Sequence, residues 1–204
     1  MEQVKQNKIV IIGGVHGDDL LGLEVLKFYF KKIPANFQLL IGNYHALEEK
    51  KKFIDFDLMN AGVGDKTCTT SIEKCRAGEL HEVIGMYQHL ISLHGSYVLD
   101  NVAIALNDDQ ETINLATALG AQQVIVIAAE NNLLSTVPHA LLFFKKVEFK
   151  TSPTTAEVAD TVMHLSRLVD YGNYAIENMK KPEVIYSKAT LDEIMEKGIS
   201  EQKP

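Results

Sequence analysis

Apolar residues along this chain fall into short unbroken runs separated by longer amphipathic stretches. The runs are KIVIIGGV (8–15), FQLLIGN (37–43), HLISLHG (89–95), NVAIAL (101–106), QQVIVIAA (122–129) and LLFFKKVEF (141–149). Most are aliphatic at consecutive positions rather than at alternating ones. That pattern predicts strands covered on both faces, as in a parallel or mixed sheet between helices. Residues 18–32 carry Leu20, Leu23, Val25, Leu26 and Phe30 at helical spacing, with Asp18 near the start, where an acidic side chain favours a helix N-terminus. Residues 71–88 predict a helix with Ser71 as N-cap, and 108–119 one that stops at Gly120. Residues 153–171 predict a strongly amphipathic helix through Val158, Val162, Leu165, Leu168 and Val169. Strands alternating with helices define an α/β layered domain. Residues 60–70 are a Gly- and Thr-rich loop, and 172–204 form a polar tail with a short strand (183–186) and a short helix (191–196).

Composition narrows the function classes. The 204 residues fit one domain, and a net charge of −7 disfavours a surface for nucleic acid or anionic membrane. The run Lys50–Lys52 reads as a solvated helix face. No stretch approaches the roughly 20 apolar residues that span a bilayer, and the polar start MEQVKQNK has no apolar core of signal-peptide length. Cys68 and Cys75 form no CxxC pair and read as two free thiols of a cytoplasmic protein. Phosphate-loop and GxSxG signatures are missing.

Chemistry concentrates at run ends. The first run closes in Gly13-Gly14, followed by His16 and Asp19. Open α/β sheets place ligands beyond the carboxyl ends of their strands. Spacing of three puts both side chains on one side of a helical turn. An imidazole and a carboxylate there can bind zinc, with ligands at about 2.0–2.2 Å. Equally, Asp19 can cap the helix and His16 can simply pack. His94 ends another strand and is again followed by glycine. Two strand-end histidines and one carboxylate are the ligand set of a catalytic zinc site that leaves a place for water. Glu148 lies in the last apolar run. It is either a general base for such water or the partner of Lys146 or Lys150 on an exposed face.

In this order, the motifs resemble the succinylglutamate desuccinylase/aspartoacylase family of zinc-dependent deacylases, related to zinc carboxypeptidases. GGVHGDDLLG resembles the GGxHGNExxG signature, and GNYHALEEKKKFIDFDLMN the GNPxAxxxxxRxxxxDLNR segment. SLHGS resembles the DLHxT region, and KVEFK stands where the family has its catalytic glutamate. The resemblance implies a three-layer α/β/α sandwich over residues 1–171, with 172–204 a tail and not an independent domain. It implies one zinc ion per chain on His16, Asp19 and His94, Glu148 as general base, and hydrolysis of a small-molecule N-acyl amide such as an N-acyl amino acid. Lys52, Asn60 and Asn43 become candidates for binding the substrate.

The departures lie at functional positions. Asp19 stands for glutamate, Ser92 for the aspartate before the second histidine, and Met59 and Asn60 for the asparagine and arginine of DLNR. Lys52 stands for the upstream arginine, whose bidentate fork lysine does not reproduce. The family's C-terminal β-rich domain is replaced by a helix and the short tail. These losses also suit a non-catalytic relative that binds a ligand or partner. A homo-oligomer is compatible with the sequence but nothing in it indicates one. Arg76 reads as a structural ion-pair residue.

Overall fold

A computed structural model describes residues 8–65, 67–69, 71–127, 132–169, 171, 179–191, 193 and 194. Seven strands form one sheet: β1 (Ile9–Gly13), β2 (Phe37–Ile41), β3 (His89–Ser96), β4 (Val102–Ala105), β5 (Gln123–Val126), β6 (His139–Lys146) and β7 (Glu183–Tyr186). Their order is β2-β1-β3-β6-β4-β5-β7. All neighbouring pairs are parallel except β4 with β6, which makes the sheet mixed.

The consecutive apolar residues serve two cores at once. In β1, Ile9 and Ile11 face one cluster and Val10 and Ile12 the other, as period-two side chains require. The first cluster is closed by helices α1 (Leu21–Phe30), α4 (Gln110–Leu119) and α5 (Thr155–Ser166). The second is closed by α3 (Ile72–Ile84) and the 3₁₀ turns Leu58–Ala61 and Leu134–Thr136. The result is the three-layer α/β/α architecture. No helix among the described residues is long and apolar enough to cross a membrane.

Local chemistry explains the element ends. Ser71, Asp109 and Thr154 each cap a helix by accepting a backbone N–H, and Thr154 forms a capping box with Glu157. Gly120 ends α4 in the left-handed conformation. Several expectations shift. The helix expected over 18–32 is α1, which begins only after Leu20 and without a side-chain cap, so Asp18 lies before it. A further helix, α2 (Tyr44–Glu49), is capped by Asn43, and its six residues are too few to leave a periodic signature. The last long run pairs from His139, two residues before the expected start at 141, and ends at Lys146, because β3 offers no partner past Ser96. Glu148 therefore lies beyond the strand rather than in it. Residues 128 and 129 of the fifth run, residue 170 and residues 192, 195 and 196 of the expected helix 191–196 lie outside the described residues. The strand expected in the tail is β7, which joins the same sheet beside β5.

The two cysteines are not free thiols. Cys68 and Cys75 are joined in a disulfide, Cα–Cα 4.5 Å, tying the Gly/Thr-rich loop to the first turn of α3. Spacing of seven gave no hint of this, because Cys68 lies in the loop while Cys75 already belongs to the helix. Disulfides persist chiefly in oxidising compartments, so the argument for a cytoplasmic protein from free thiols falls away.

Candidate functional site

His16, Asp19 and His94 come together at the carboxyl ends of β1 and β3, which are neighbours. Gly14 takes φ +67°, which glycine adopts without a Cβ penalty, and this turns the chain off β1 towards His16. His94 follows the parity of Leu90 and Ser92, points into the second layer and stacks on Phe144 at 5.0 Å. All three side chains are buried, with 5, 4 and 2% of their surface exposed.

Each member of the cluster is held by a second group. Asp19 accepts the Gly95 backbone N–H at 2.9 and 3.0 Å, and its Oδ1 faces Leu21 N–H at 3.4 Å. His94 Nε2 pairs with Ser92 Oγ at 2.8 Å, while its Nδ1 stands 3.6 Å from Asp19 Oδ2. Burial pushes the His94 imidazole pKa down against the opposing pull of Asp19, and a neutral ring is the form that ligates metal. His16 Nε2 pairs with Asp57 Oδ2 at 2.9 Å, and the rings of His16 and His94 lie 6.0 Å apart. Burial alone would raise the Asp57 carboxyl, but its bond to His16, Met59 N–H and the Lys52 charge hold it below the ordinary range.

Asp57 joins this cluster through His16 although no motif singled it out. It sits in FDLMN, one of the segments carrying the resemblance, where the departures at 59 and 60 drew the attention. Its position before a Leu-Met pair is also a capping signal, and its Oδ1 accepts Met59 N–H at 2.9 Å.

The other candidates divide. Lys52 approaches the cluster, its Nζ 3.9 Å from Asp57 Oδ2. Asn60 is exposed. Asn43 is fully buried with both ends of its amide engaged. Its Oδ1 caps α2 at Ala46 N–H and its Nδ2 donates to Glu73, so it shapes the fold instead of lining a pocket. Glu148 is exposed, and its backbone N–H donates to Glu157 Oε1 at 2.7 Å. No side-chain contact joins it to the histidines among the described residues. Arg76 spans the Ile41 and Gly42 carbonyls and Glu79, a structural role.

The fit to zinc can be tested by distance. Two donors on a tetrahedral ion at about 2.1 Å stand roughly 3.4 Å apart. The Asp19–His94 separation of 3.6 Å meets that edge length. His16, turned towards Asp57, does not complete the set in this arrangement, and among the described residues no three His, Cys, Asp or Glu side chains are grouped so as to hold a metal ion. Donor types and burial fit zinc, and the geometry fits at two donors of three.

An α/β/α sandwich with histidines and a carboxylate at the carboxyl ends of its central strands is the class of protein defined so far. Solved structures match that class: this chain has the fold of succinylglutamate desuccinylase/aspartoacylase proteins. Succinylglutamate desuccinylase from Chromobacterium violaceum superposes with a TM-score of 0.70 over 93% of this chain and 72% of its own, at 16% identity. Murine aminoacylase 3 matches with a TM-score of 0.67 over 83% of this chain and 64% of its own, at 15% identity. The ectoine utilization protein EutE (DoeB) from Ruegeria pomeroyi does so with 0.67 over 92% and 64%, at 16% identity. The chain thus spans less than two thirds of the length of the latter two. No protein-family model and no curated protein sequence matches the chain.

Proposed function

We propose that this protein is a zinc-dependent deacylase that hydrolyses an N-acyl amide of a small molecule, most simply an N-acyl amino acid. The observation that carries the reading is the buried Asp19–His94 pair at 3.6 Å, with His16 beside it, on adjacent strand ends. The matching solved structures support it, since their names describe deacylases. His16, Asp19 and His94 would hold the ion. When bound, zinc would supply a Lewis acid for the amide carbonyl and its oxyanion, and would ease ionisation of water. The protein's own groups do the remaining work. Asp57 and Ser92 orient the two imidazoles through their Nε2 atoms, Gly95 N–H fixes the Asp19 carboxylate, and burial keeps His94 neutral. Glu148, just beyond β6, accepts the proton of the attacking water and returns it to the leaving amine.

A second reading, a ligand-binding protein without catalysis, is favoured by one observation: the exposed Glu148 carboxylate makes no contact with the cluster among the described residues. Elemental analysis separates the readings at their root. Protein purified without chelators or a histidine tag should carry close to one zinc per chain, and His16→Ala should lose it. Wild-type protein that takes up no zinc even after incubation with the metal would refute the deacylase. Zinc bound without turnover of any N-acyl amino acid would favour the second reading.

A further inference from the structure

Cys68 and Cys75 are the two cysteines of the chain, and their disulfide lies at the surface. Cys68 is exposed and Cys75 half-buried. Both line a cleft of about 350 Å³ together with His45, Asp55 and Arg76, a volume that admits a small molecule. A disulfide open to solvent is the kind that free thiols reach and exchange with.

The two sulfurs are not equivalent. Cys75 is the fourth residue of α3, and the N-terminal end of a helix favours a thiolate. A sulfur stabilised in that form is the better leaving group. Cys68 is the sulfur more open to attack. Its backbone sits at φ 54°, uncommon for a residue with a Cβ, and opening the bond lets it leave that conformation. Other ties of the loop do not involve sulfur. Asp65 N–H donates to the Lys74 carbonyl at 2.8 Å, and Gly64 lies against the Gly78 backbone with no room for a side chain. The bond can therefore open while the chain stays folded.

The bond secures the start of α3, and that turn holds more than itself. Ile72 N–H donates to Asp55 Oδ2 at 3.1 Å. Glu73, the next residue, accepts the N–H groups of Ile54, Asp55 and Phe56. Asp57 follows them with its bond to His16. Without the cross-link the first turn opens locally more often, and Glu73 then lets go of residues 54–56.

We propose that Cys68–Cys75 is a thiol-exchange site for a small thiol, and that opening it loosens residues 54–57. The incoming thiolate sulfur bonds to Cys68 Sγ as the Cys68–Cys75 bond breaks. The electron pair leaves on Cys75 Sγ, which takes up the proton given by the incoming thiol. A second small thiol attacks the first one's sulfur in the mixed disulfide and frees Cys68 as a thiol. Both cysteines end reduced, and the two small thiols leave oxidised as their own disulfide. The proposal goes beyond the deacylase reading and needs neither zinc nor turnover.

The test uses glutathione on the native full chain, with mass spectrometry for the sulfurs and amide hydrogen exchange for the backbone. Opening of the wild-type bond should accelerate in proportion to glutathione and need no urea. Cys75→Ser, which cannot close the bond again, should keep one glutathione on Cys68 after exposure to glutathione disulfide. In reduced wild type the amides of Ile54, Asp55 and Phe56 should exchange about tenfold faster than in the oxidised form, while those of β1 stay unchanged. The double variant Cys68→Ser, Cys75→Ser should exchange at the reduced rate with or without glutathione. A bond that opens only in urea high enough to unfold the chain would overturn the proposal. So would a Cys68 that takes up no glutathione, or amides at 54–56 that exchange equally in both forms. A wild type that takes up no zinc alters none of these readouts and counts against the deacylase alone.

Discussion

Glu73 is the residue whose loss should be felt furthest from where it sits. It is fully buried, and its carboxylate accepts Ile54 N–H at 2.6 Å, Asp55 N–H at 3.1 Å, Phe56 N–H at 3.4 Å and Asn43 Nδ2 at 3.2 Å. Burial alone would raise its pKa, but these donors outweigh burial and hold the carboxyl below its ordinary 4.5. Glu73→Gln keeps the shape, removes the charge and turns an amide nitrogen towards N–H donors. Hydrogen bonds to a charged group contribute roughly 1.5–3 kcal/mol each, and bonds sharing one acceptor do not add. We therefore expect a loss of about 3 kcal/mol. At about 2–4 °C per kcal/mol for a chain of this size, Tm should drop by about 6–12 °C.

The pH dependence gives this prediction a second, independent arm. A carboxyl whose folded pKa lies below its unfolded one contributes stability that is complete above the unfolded value. That stability is lost as pH falls through the folded value. Urea unfolding of wild type and Glu73→Gln should differ by a constant amount from neutral pH down to about pH 5. The curves should then converge below about 4.5, as wild type alone loses its charge. A difference under about 1 kcal/mol at neutral pH, or a gap that persists to pH 3, would refute the assignment of Glu73 as the charged anchor of residues 54–56.

Three further outcomes follow from the same geometry. Cys75→Ser opens the disulfide loop of separation seven and should cost about 2.5 kcal/mol by chain entropy; a dithiol reductant should lower wild-type stability equally and leave the variant unchanged in urea unfolding. Gly95→Ala brings a Cβ to 3.0 Å from Asp19 Oδ1 and 2.9 Å from Val147 Cγ2; zinc affinity in competition titrations should fall about 10–100-fold with only a few degrees lost in Tm. The His164 imidazole pKa is held down by burial and by Lys145 and Arg167, against the pull of the Leu119 carbonyl, so the fold favours its neutral form. Wild-type stability should fall as pH drops below about 6.5, and His164→Gln should flatten part of that slope in urea unfolding.

What is legible in the sequence follows physical rules that act locally. Mostly apolar runs at 8–15, 37–43 and 89–95, with apolar residues at consecutive positions, make strands whose two faces are both covered, and the two cores use alternate residues of each run in just that way. Strand ends marked by glycine put His16 and His94 together because β1 and β3 pair in parallel. What escaped depends on contacts between remote positions. The disulfide needs the loop at 60–70 to return to α3, and Glu73 looks like any exposed helix glutamate until residues 54–56 are laid over it. Glu148 was misplaced within a strand because its apolar neighbours Val147 and Phe149 continue the alternation after pairing with β3 has ended. Phe149 is in fact exposed.

The site is therefore less a property of its motif than of a relay behind it. His16 is oriented by Asp57, and Asp57 is the last residue of a stretch whose preceding three N–H groups are held by Glu73. Glu73 is steadied by Asn43, whose other end caps α2 at Ala46. The Cys68–Cys75 bond anchors the far side of the same loop to the first turn of α3, two residues from Glu73. The hydrogen-bonded links are polar contacts shielded from solvent and costly to leave unmet, so the relay resists change as a unit. The position of His16 therefore does not depend on the side chains of the nearby Met59 and Asn60. Neither of those side chains carries the relay, whereas Asp57, Glu73 and Asn43 do. Asp57 holds the Nε2 of His16, leaving Nδ1 as the ring nitrogen not committed to it. Asp57→Asn should thus weaken zinc binding more than Ser92→Ala. The first leaves a buried imidazole facing an amide of uncertain donor sense, and the second removes a hydroxyl from a ring already fixed by Phe144 stacking.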